Sequence, residues 1–343
     1  MVTVKDVAKK AGVATSTVSR VINDHHSISE NTKRKVRKVM EEMGYVPNKT
    51  AQNLGKGSAN AIGVILPPLN SKEKIGNPFY LEIIEAINEE ALKHGMATAI
   101  ASARNFDNLL ENVKQMHLQR QVDGFILLYS DRSDPIIDYL TTHNINFILV
   151  GQPYDQEEVV SYVDNDNQLL GKQATEHLIE NGHKRILFVT NTADEILYFE
   201  RYFGYQKALM LAGLKTFPAI ELLGPDDYMT FGDSLKESQA TAIVVIDDIF
   251  ALRVLQLTEL HGYKVPDDIS LISFNNSIFA TLMHPYLTSI DIAIHELGQR
   301  GTLALINQLK HQDQPVSGMR IVIPHQLIER ETVKHLNFEK TSD

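Results

Sequence analysis

Between Val13 and Asn23 the chain reads VATSTVSRVIN. Among these side chains, the hydroxyls of Thr15, Ser16, Thr17 and Ser19 and the guanidinium of Arg20 can hydrogen-bond a polyanion. Short hydroxyls reach phosphate oxygens or base edges while letting the backbone approach closely, and a guanidinium can grip a guanine N7/O6 pair with two bonds. A second set of side chains, far along the chain, has a different chemistry. Asn77-Pro78-Phe79-Tyr80, Tyr129-Ser130-Asp131, Gly151-Gln152-Pro153-Tyr154, Arg201, Asp247-Asp248 and Asn275-Asn276 mix aromatic faces with amides, carboxylates and a guanidinium. Aromatic rings stack on sugar rings, and the polar groups fix hydroxyls in direction.

Catalytic and metal chemistry find little support. The chain has no Cys, so thiolate metal sites and disulfides are excluded, and its 13 His are scattered. There is no Gly-x-Ser-x-Gly, Walker loop, His-Glu-x-x-His or Gly-x-Gly-x-x-Gly. The acidic pair Asp247-Asp248 and the run DNDN (164–167) read as helix caps and hydroxyl contacts. No enzyme activity, metal or cofactor is expected. The first residues lack a signal-peptide core, and no run of about 18 apolar residues occurs, so a cytoplasmic, nucleoid-associated protein without a membrane span is expected.

Charge separates the two sets. Residues 1–58 carry eleven Lys/Arg against five Asp/Glu, a net of +6. The whole chain is −10, which leaves −16 for the rest. A basic head on an acidic body points to a polyanionic partner for the head.

The head must be three short helices. Thr3 and Asp6 stand in capping-box spacing, Val4, Val7, Ala8 and Ala11 recur with helical period, and Gly12 ends the first helix. A second helix begins near Thr15 with Val18, Val21 and Ile22 inward. The short turn between the two makes a helix-turn-helix. Ser, Thr and Val are poor helix formers, so packing must hold this second helix while its hydroxyls and Arg20 face outward. The third helix is capped within Ser29–Thr32 and has an apolar stripe of Val36, Val39, Met40 and Met43. Lys33, Arg34, Lys35, Arg37 and Lys38 are expected on its outer surface. Pro47 stops it, and Asn48–Leu54 could form two turns before the linker GKGSAN.

The body alternates. Strands are expected at 62–66, 97–102, 123–129, 146–150, 185–190, 219–223, 242–246 and 270–274. Helices are expected around 80–87 and at 107–119, 134–142, 168–181, 199–212, 232–238 and 249–261. That order gives parallel sheets flanked by helices, in two lobes, with ligand sites beyond the carboxyl ends of the strands.

VTVKDVAKKAGVATSTVSRVIN, SENTKRKVRKVMEEMGYVPN and AQNL, spanning residues 2–54, resemble the DNA-binding head of the LacI/GalR family of bacterial repressors. The resemblance implies an all-α helix-turn-helix head on an α/β two-lobed body of the periplasmic-binding-protein type I (Rossmann-like) fold, binding a pseudo-palindromic operator as a homodimer. It implies base contacts for Thr15, Ser16 and Arg20, and a minor-groove wedge for Leu54. Phosphate contacts fall on Thr3, Thr17, Ser19, Asn23, Thr32, Tyr45 and Asn48. Effector contacts fall on Phe79, Tyr80, Ser130, Gln152, Arg201 (in an Arg-x-x-Gly setting with Gly204), Asp247 and Asn275. The implied domains are 1–46, a hinge at 47–60, one lobe at 61–162 plus 292–322, and the other at 163–291 plus 323–343.

Three positions depart from the family pattern. Ala14 stands where the family keeps a capping Ser, which hands the cap to Thr15 or Ser16. Gly55 replaces a larger residue in the hinge. Asn275 replaces an Asp after LISF, which removes an anionic acceptor and suits a neutral sugar. NPFY, DGFILLYS, ILVGQP and VDNDN resemble the maltose-operon branch of Gram-positive bacteria more than the purine or lactose branches, so a maltose or maltodextrin effector is expected. The alternatives are a catabolite control protein with phosphorylated HPr as corepressor, and a free sugar-binding protein.

Overall fold

The computed structural model describes residues 2–45, 58–191, 195–224, 226–311 and 318–336. The chain divides into a unit of Met1–Ala59 and a unit of Asn60–Asp343.

The first unit is built on three helices: α1 (Val4–Ala11), α2 (Thr15–Ile22) and α3 (Glu30–Glu42). At the start of α1 the Thr3 hydroxyl accepts from Asp6 N, and the Asp6 carboxylate accepts from Thr3 N at 2.9 Å. This reciprocal pair satisfies donors that any helix start leaves open. Gly12, at φ 66, takes the left-handed turn that ends α1. Ala14 begins α2 without a side-chain cap, and neither Thr15 nor Ser16 supplies one, contrary to the expected takeover. Val7, Ala8, Ala11, Val18, Val21 and Val36 close a small core, with Ile22, Val39, Met40, Met43 and Tyr45 packed at its edge. Apolar packing from three helices therefore holds α2, despite its weak propensity.

The expected outer surface of α3 needs one correction. Lys33 is only 6 % exposed. Its ammonium lies 3.0 Å from Asp24 and 3.1 Å from Glu30. Hydrogen bonds to these carboxylates raise the Lys33 pKa, and the bond from Lys33 lowers that of Asp24. Arg37 also reaches Asp24, at 2.6 Å. Arg34, Lys35 and Lys38 remain exposed.

In the second unit, the first lobe contains β1 (Ala61–Ile65), α4 (Lys72–Ile75), α5 (Pro78–Lys93), β2 (Ala97–Ala101), α6 (Phe106–Leu118), β3 (Gly124–Leu127), α7 (Pro135–Thr142), β4 (Phe147–Val150) and β5 (Tyr162–Asn165). The second contains α8 (Asn167–Glu180), β6 (Ile186–Thr190), α9 (Ile196–Leu211), β7 (Ile220–Glu221), α10 (Asp227–Ser238), β8 (Ala242–Val245), α11 (Asp248–Leu260), β9 (Ser270–Phe274), α12 (Phe279–Leu282) and β10 (Thr288–Asp291). The chain then returns as α13 (Ile294–Lys310) and β11 (Arg320–Ile323) to the first lobe, and ends with β12 (Gln326–Ile328) in the second.

The first sheet runs β11-β5-β4-β3-β1-β2, all parallel. The second runs β12-β10-β9-β8-β6-β7, parallel except for β12. Strands β1, β6, β8 and β9 are buried along their whole length, which is why they read as unbroken apolar runs.

Several expected bounds move. Tyr162–Asn165 belongs to the first sheet, so the first passage between lobes follows Asn165 rather than residue 162. The third follows Ile323, a residue later than the boundary expected at 322. The strand expected at 219–223 shrinks to Ile220–Glu221, and the helix expected from 232 starts at Asp227.

Candidate nucleic-acid face and ligand cleft

On the head, Thr15, Ser16, Ser19, Arg20 and Asn23 are exposed and Thr17 is half-buried. The Arg20 side chain makes no ion pair or hydrogen bond among the described residues, and α2 has no acidic residue. Four of the five acids of the head are engaged elsewhere: Asp6 with Thr3, Asp24 and Glu30 with Lys33, Glu42 with Lys10. A helix surface of free hydroxyls and one free guanidinium, without a competing carboxylate, suits a negatively charged duplex. The expected phosphate contacts differ in availability. The Asn23 amide donates to Ser19 O at 3.0 Å, closing the end of α2. The Thr3 hydroxyl donates to Asp6 at 2.6 Å, and that of Thr32 lies 3.0 Å from Ser29 Oγ. Tyr45 is half-buried against the head core. Asn48, Leu54 and Gly55 lie outside the described residues.

The body holds a cleft of about 580 Å³. All seven expected effector residues line it: Phe79, Tyr80, Ser130, Gln152, Arg201, Asp247 and Asn275. Topology explains the convergence. Ser130 follows β3, Gln152 follows β4 and Gly151 (φ 108), Asp247 follows β8, and Asn275 (φ 100) follows β9. These are carboxyl ends of parallel strands, where open α/β sheets present their ligand sites. Phe79 and Tyr80 sit in the first turn of α5, which Asn77 caps through a 3.0 Å bond from Phe79 N. Their rings meet edge to face, 5.5 Å apart. Tyr129 and Ser130 also line the cleft; the Tyr129 hydroxyl is buried beside the Asp134 carboxylate, and that of Ser130 is buried without a protein partner among the described residues.

Arg201 anchors one wall. It is 2 % exposed. Its Nε donates to Asn167 Oδ1 at 3.1 Å and its Nη1 to Ile246 O at 2.6 Å, and the guanidinium lies 4.3 Å from the Phe274 ring centre. Burial lowers its pKa to about 10, with Asp247, Asp164 and Asp248 opposing, so it is charged at neutral pH. Burial raises Asp164 to about 6, moderated by the Asn165 backbone bond and by Arg201. Burial also raises Asp247 and Glu195. Asp247 caps α11, accepting from Phe250 N at 2.7 Å. Lys74, Arg104 and Arg201 face Asp131, Asp164, Glu195, Glu200 and Asp247 around the cleft, an excess of acid that suits hydroxyls and disfavours a phosphorylated guest.

The sequence read DNDN (164–167) as helix caps and hydroxyl contacts without dividing the roles among its residues. The run DNDN serves two purposes at once. Asp166 caps α8 through Leu169 N at 2.9 Å, Asp164 and Asn167 line the cleft, and Asn165 lies at its floor with its amide bonded to the Ile292 and Ile323 carbonyls. Glu195 and Arg104 also line the cleft, from loops that no periodicity marks. Among the described residues, one group could share a metal ion, Glu85, Glu89 and His295. It is exposed, Glu89 is already 3.1 Å from Lys93, and none of the three lines the cleft. No helix among the described residues is long and apolar enough to cross a membrane.

Comparison with known proteins places both units. Residues 3–48 match the bacterial regulatory proteins of the lacI family, and residues 175–333 match the periplasmic binding protein-like domain. The HTH-type transcriptional regulator MalR of Staphylococcus xylosus is 33 % identical over 334 residues, covering 97 % of this chain and 98 % of that one. A transcriptional regulator CelR–cellobiose complex superposes with a TM-score of 0.71 at 28 % identity, covering 97 % of this chain and 100 % of that one. The lac repressor dimer bound to operator and the anti-inducer ONPF superposes with a TM-score of 0.80 at 25 % identity, covering 97 % and 99 %.

Proposed function

Because the chain belongs to the LacI family of bacterial regulatory proteins, we propose that it is a transcriptional repressor whose operator affinity is set by a neutral sugar in the cleft of its body. The observation that carries this reading is the cleft itself. Aromatic rings, amides, carboxylates and a buried guanidinium converge at strand ends in a volume within the usual range for small-molecule sites, about 300–1,000 Å³. The MalR relative favours maltose or a maltodextrin, and the amide at Asn275 agrees with an uncharged guest.

Operator recognition follows from the head. Thr15, Ser16 and Arg20 read base edges, while Thr3, Thr17, Ser19, Asn23, Thr32, Tyr45 and Asn48 contact phosphates, and Leu54 wedges a minor-groove step. A homodimer would place two heads on successive half-sites. The apolar surface of the first lobe supports pairing. Leu81 (75 % exposed) and Leu92 (61 % exposed) lie three turns apart on one face of α5, and the neighbouring edge strand β2 exposes Ile100. Sugar in the cleft shifts the population between lobe arrangements, and operator affinity follows.

Calorimetry with maltose, maltotriose, cellobiose, glucose 6-phosphate and phosphorylated HPr tests the assignment. Binding of a maltooligosaccharide with no heat from the sugar phosphate is expected. Binding of phosphorylated HPr alone would replace the effector with the corepressor alternative.

A further inference from the structure

Asn165 is 7 % exposed, and its side-chain amide donates two hydrogen bonds of 3.0 Å, one to Ile292 O and one to Ile323 O. These three residues sit in the three passages between lobes. Asn165 ends β5 ahead of α8, Ile292 lies between β10 and α13, and Ile323 ends β11 ahead of β12. An amide nitrogen has two hydrogens. Both are committed here, each to a different passage, so a single side chain ties all three together. The acceptors are backbone carbonyls, so the bonds follow the path of the chain itself.

The same residue is joined to the cleft. Asp164 Oδ1 accepts from Asn165 N at 2.8 Å, Asp164 Oδ2 accepts from Asn167 Nδ2 at 2.9 Å, and Asn167 Oδ1 accepts from Arg201 Nε at 3.1 Å. Arg201, Asn167 and Asn165 are 2 %, 5 % and 7 % exposed, so water competes little for these bonds.

We propose that Asn165 is a positioning residue that clasps the three passages and couples the contents of the cleft to the lobe arrangement. Closing or rotating two lobes changes backbone torsions at a few residues where the chain crosses. A clasp across all three crossings holds them in one arrangement. A guest that draws Arg201 toward itself acts on Asn167 and Asp164, and through them on the clasp. This inference rests on the sugar-responsive reading for its ligand, but the clasp itself is testable without any sugar.

The experiment uses the full chain with Asn165→Leu, which keeps the shape and removes both donors. In the first arm, hydrogen–deuterium exchange is measured on the sugar-free protein. Faster exchange in all three passages, around residues 162–167, 290–295 and 321–327, is expected. A change confined to the segment around residue 165 would overturn the clasp. In the second arm, anisotropy of a labelled duplex, selected by the wild-type chain from a random pool, is read with and without maltotriose. Coupling of ordinary size alters wild-type operator affinity about 5–150-fold, and the variant's ratio, read at maltotriose concentrations that calorimetry shows to saturate it, should fall to within about twofold of one. An unaltered ratio would overturn the coupling. A wild-type chain that ignores maltotriose would count against the effector reading, leaving the clasp to the exchange arm. Should the Leu variant not melt cooperatively, Asn165→Ser, which keeps one donor, carries both arms. Failure of both variants to fold would overturn the proposal, since Asn165 would then be a determinant of the fold rather than of the response.

Discussion

Gly204→Ala should disable the cleft without touching a ligand. Helices α8 and α9 cross at a pair of glycines. A Cβ at Gly171 would stand 2.8 Å from the Arg201 carbonyl carbon, and one at Gly204 would stand 2.6 Å from Lys172 N and closer still to Gln168 O. Real Cβ atoms essentially never approach within 3.0 Å, and the obstructing atoms are backbone, so the helices must part by roughly half an ångström or more. Arg201 rides on α9 and its partner Asn167 on α8. A separation of that size stretches their 3.1 Å bond to the limit of hydrogen bonding. Overpacking of this kind costs about 1–3 kcal/mol, which lowers the melting temperature by about 2–12 °C in a domain of this size. Loss of a charged hydrogen bond of about 1.5–3 kcal/mol should weaken sugar binding by roughly tenfold or more. Calorimetry and thermal melting, with the exposed Lys207→Ala on the same helix as control, measure both effects. Wild-type affinity together with wild-type melting in Gly204→Ala would refute the close-crossing argument.

Three other outcomes are expected. Arg20→Ala should relax base preference at one position of each half-site by about 1–3 kcal/mol; competition against single-base variants checks it, and a uniform loss on every sequence would make Arg20 a phosphate contact. Arg201→Lys should reduce sugar affinity while leaving sugar-free operator binding unchanged, because an ammonium cannot keep the Asn167 and Ile246 bonds and still face the cleft; calorimetry and anisotropy on one preparation separate the two. Asp248→Asn should change the pH dependence of stability. Burial raises the Asp248 carboxyl to about 6 from an ordinary 3.8, although Ser273 Oγ, Ser289 Oγ and Ser277 N all donate to it. The folded chain then holds a proton that the unfolded chain has released between about pH 4 and 6. The associated stability is present at pH 4 and lost as pH rises through 6, on the order of 3 kcal/mol. The melting temperature of Asp248→Asn relative to the parent should therefore climb from pH 4 to pH 7; parallel curves would contradict the buried-carboxylate account.

How much of this was legible in the sequence depended on whether one force acted alone. In the head, apolar period and capping spacing agree, and α1, α2 and α3 follow from Val7, Val18 and Val36. Lys33 escaped because a run of basic residues reads as solvated, and the acceptor that covers it, Asp24, sits in a loop at φ 50. The cleft residues were visible because strand ends in parallel sheets face one way. Within DNDN the separate roles of Asp164, Asn165 and Asn167 were hidden, because caps, hinges and ligand contacts draw on the same polar residue types. The return helix α13 was hidden by its own packing. Gly298 allows α13 to lie against α5, where a Cβ would be 2.8 Å from that of Ala86, and a glycine inside a helix weakens the local signal. Strands β5, β11 and β12 are three or four residues long, and their partners lie far along the chain.

The most direct measurement is an operator titration on the full chain: anisotropy of a duplex selected from a random pool, followed as maltose, maltotriose or cellobiose is added at fixed salt. The account predicts a bound palindromic sequence whose affinity changes at least fivefold with one neutral sugar, and that needs a higher concentration of the same sugar to change when Arg201 is replaced by Lys. Selection of no sequence, or an affinity that no sugar alters while Arg201→Lys behaves as the parent, would contradict it.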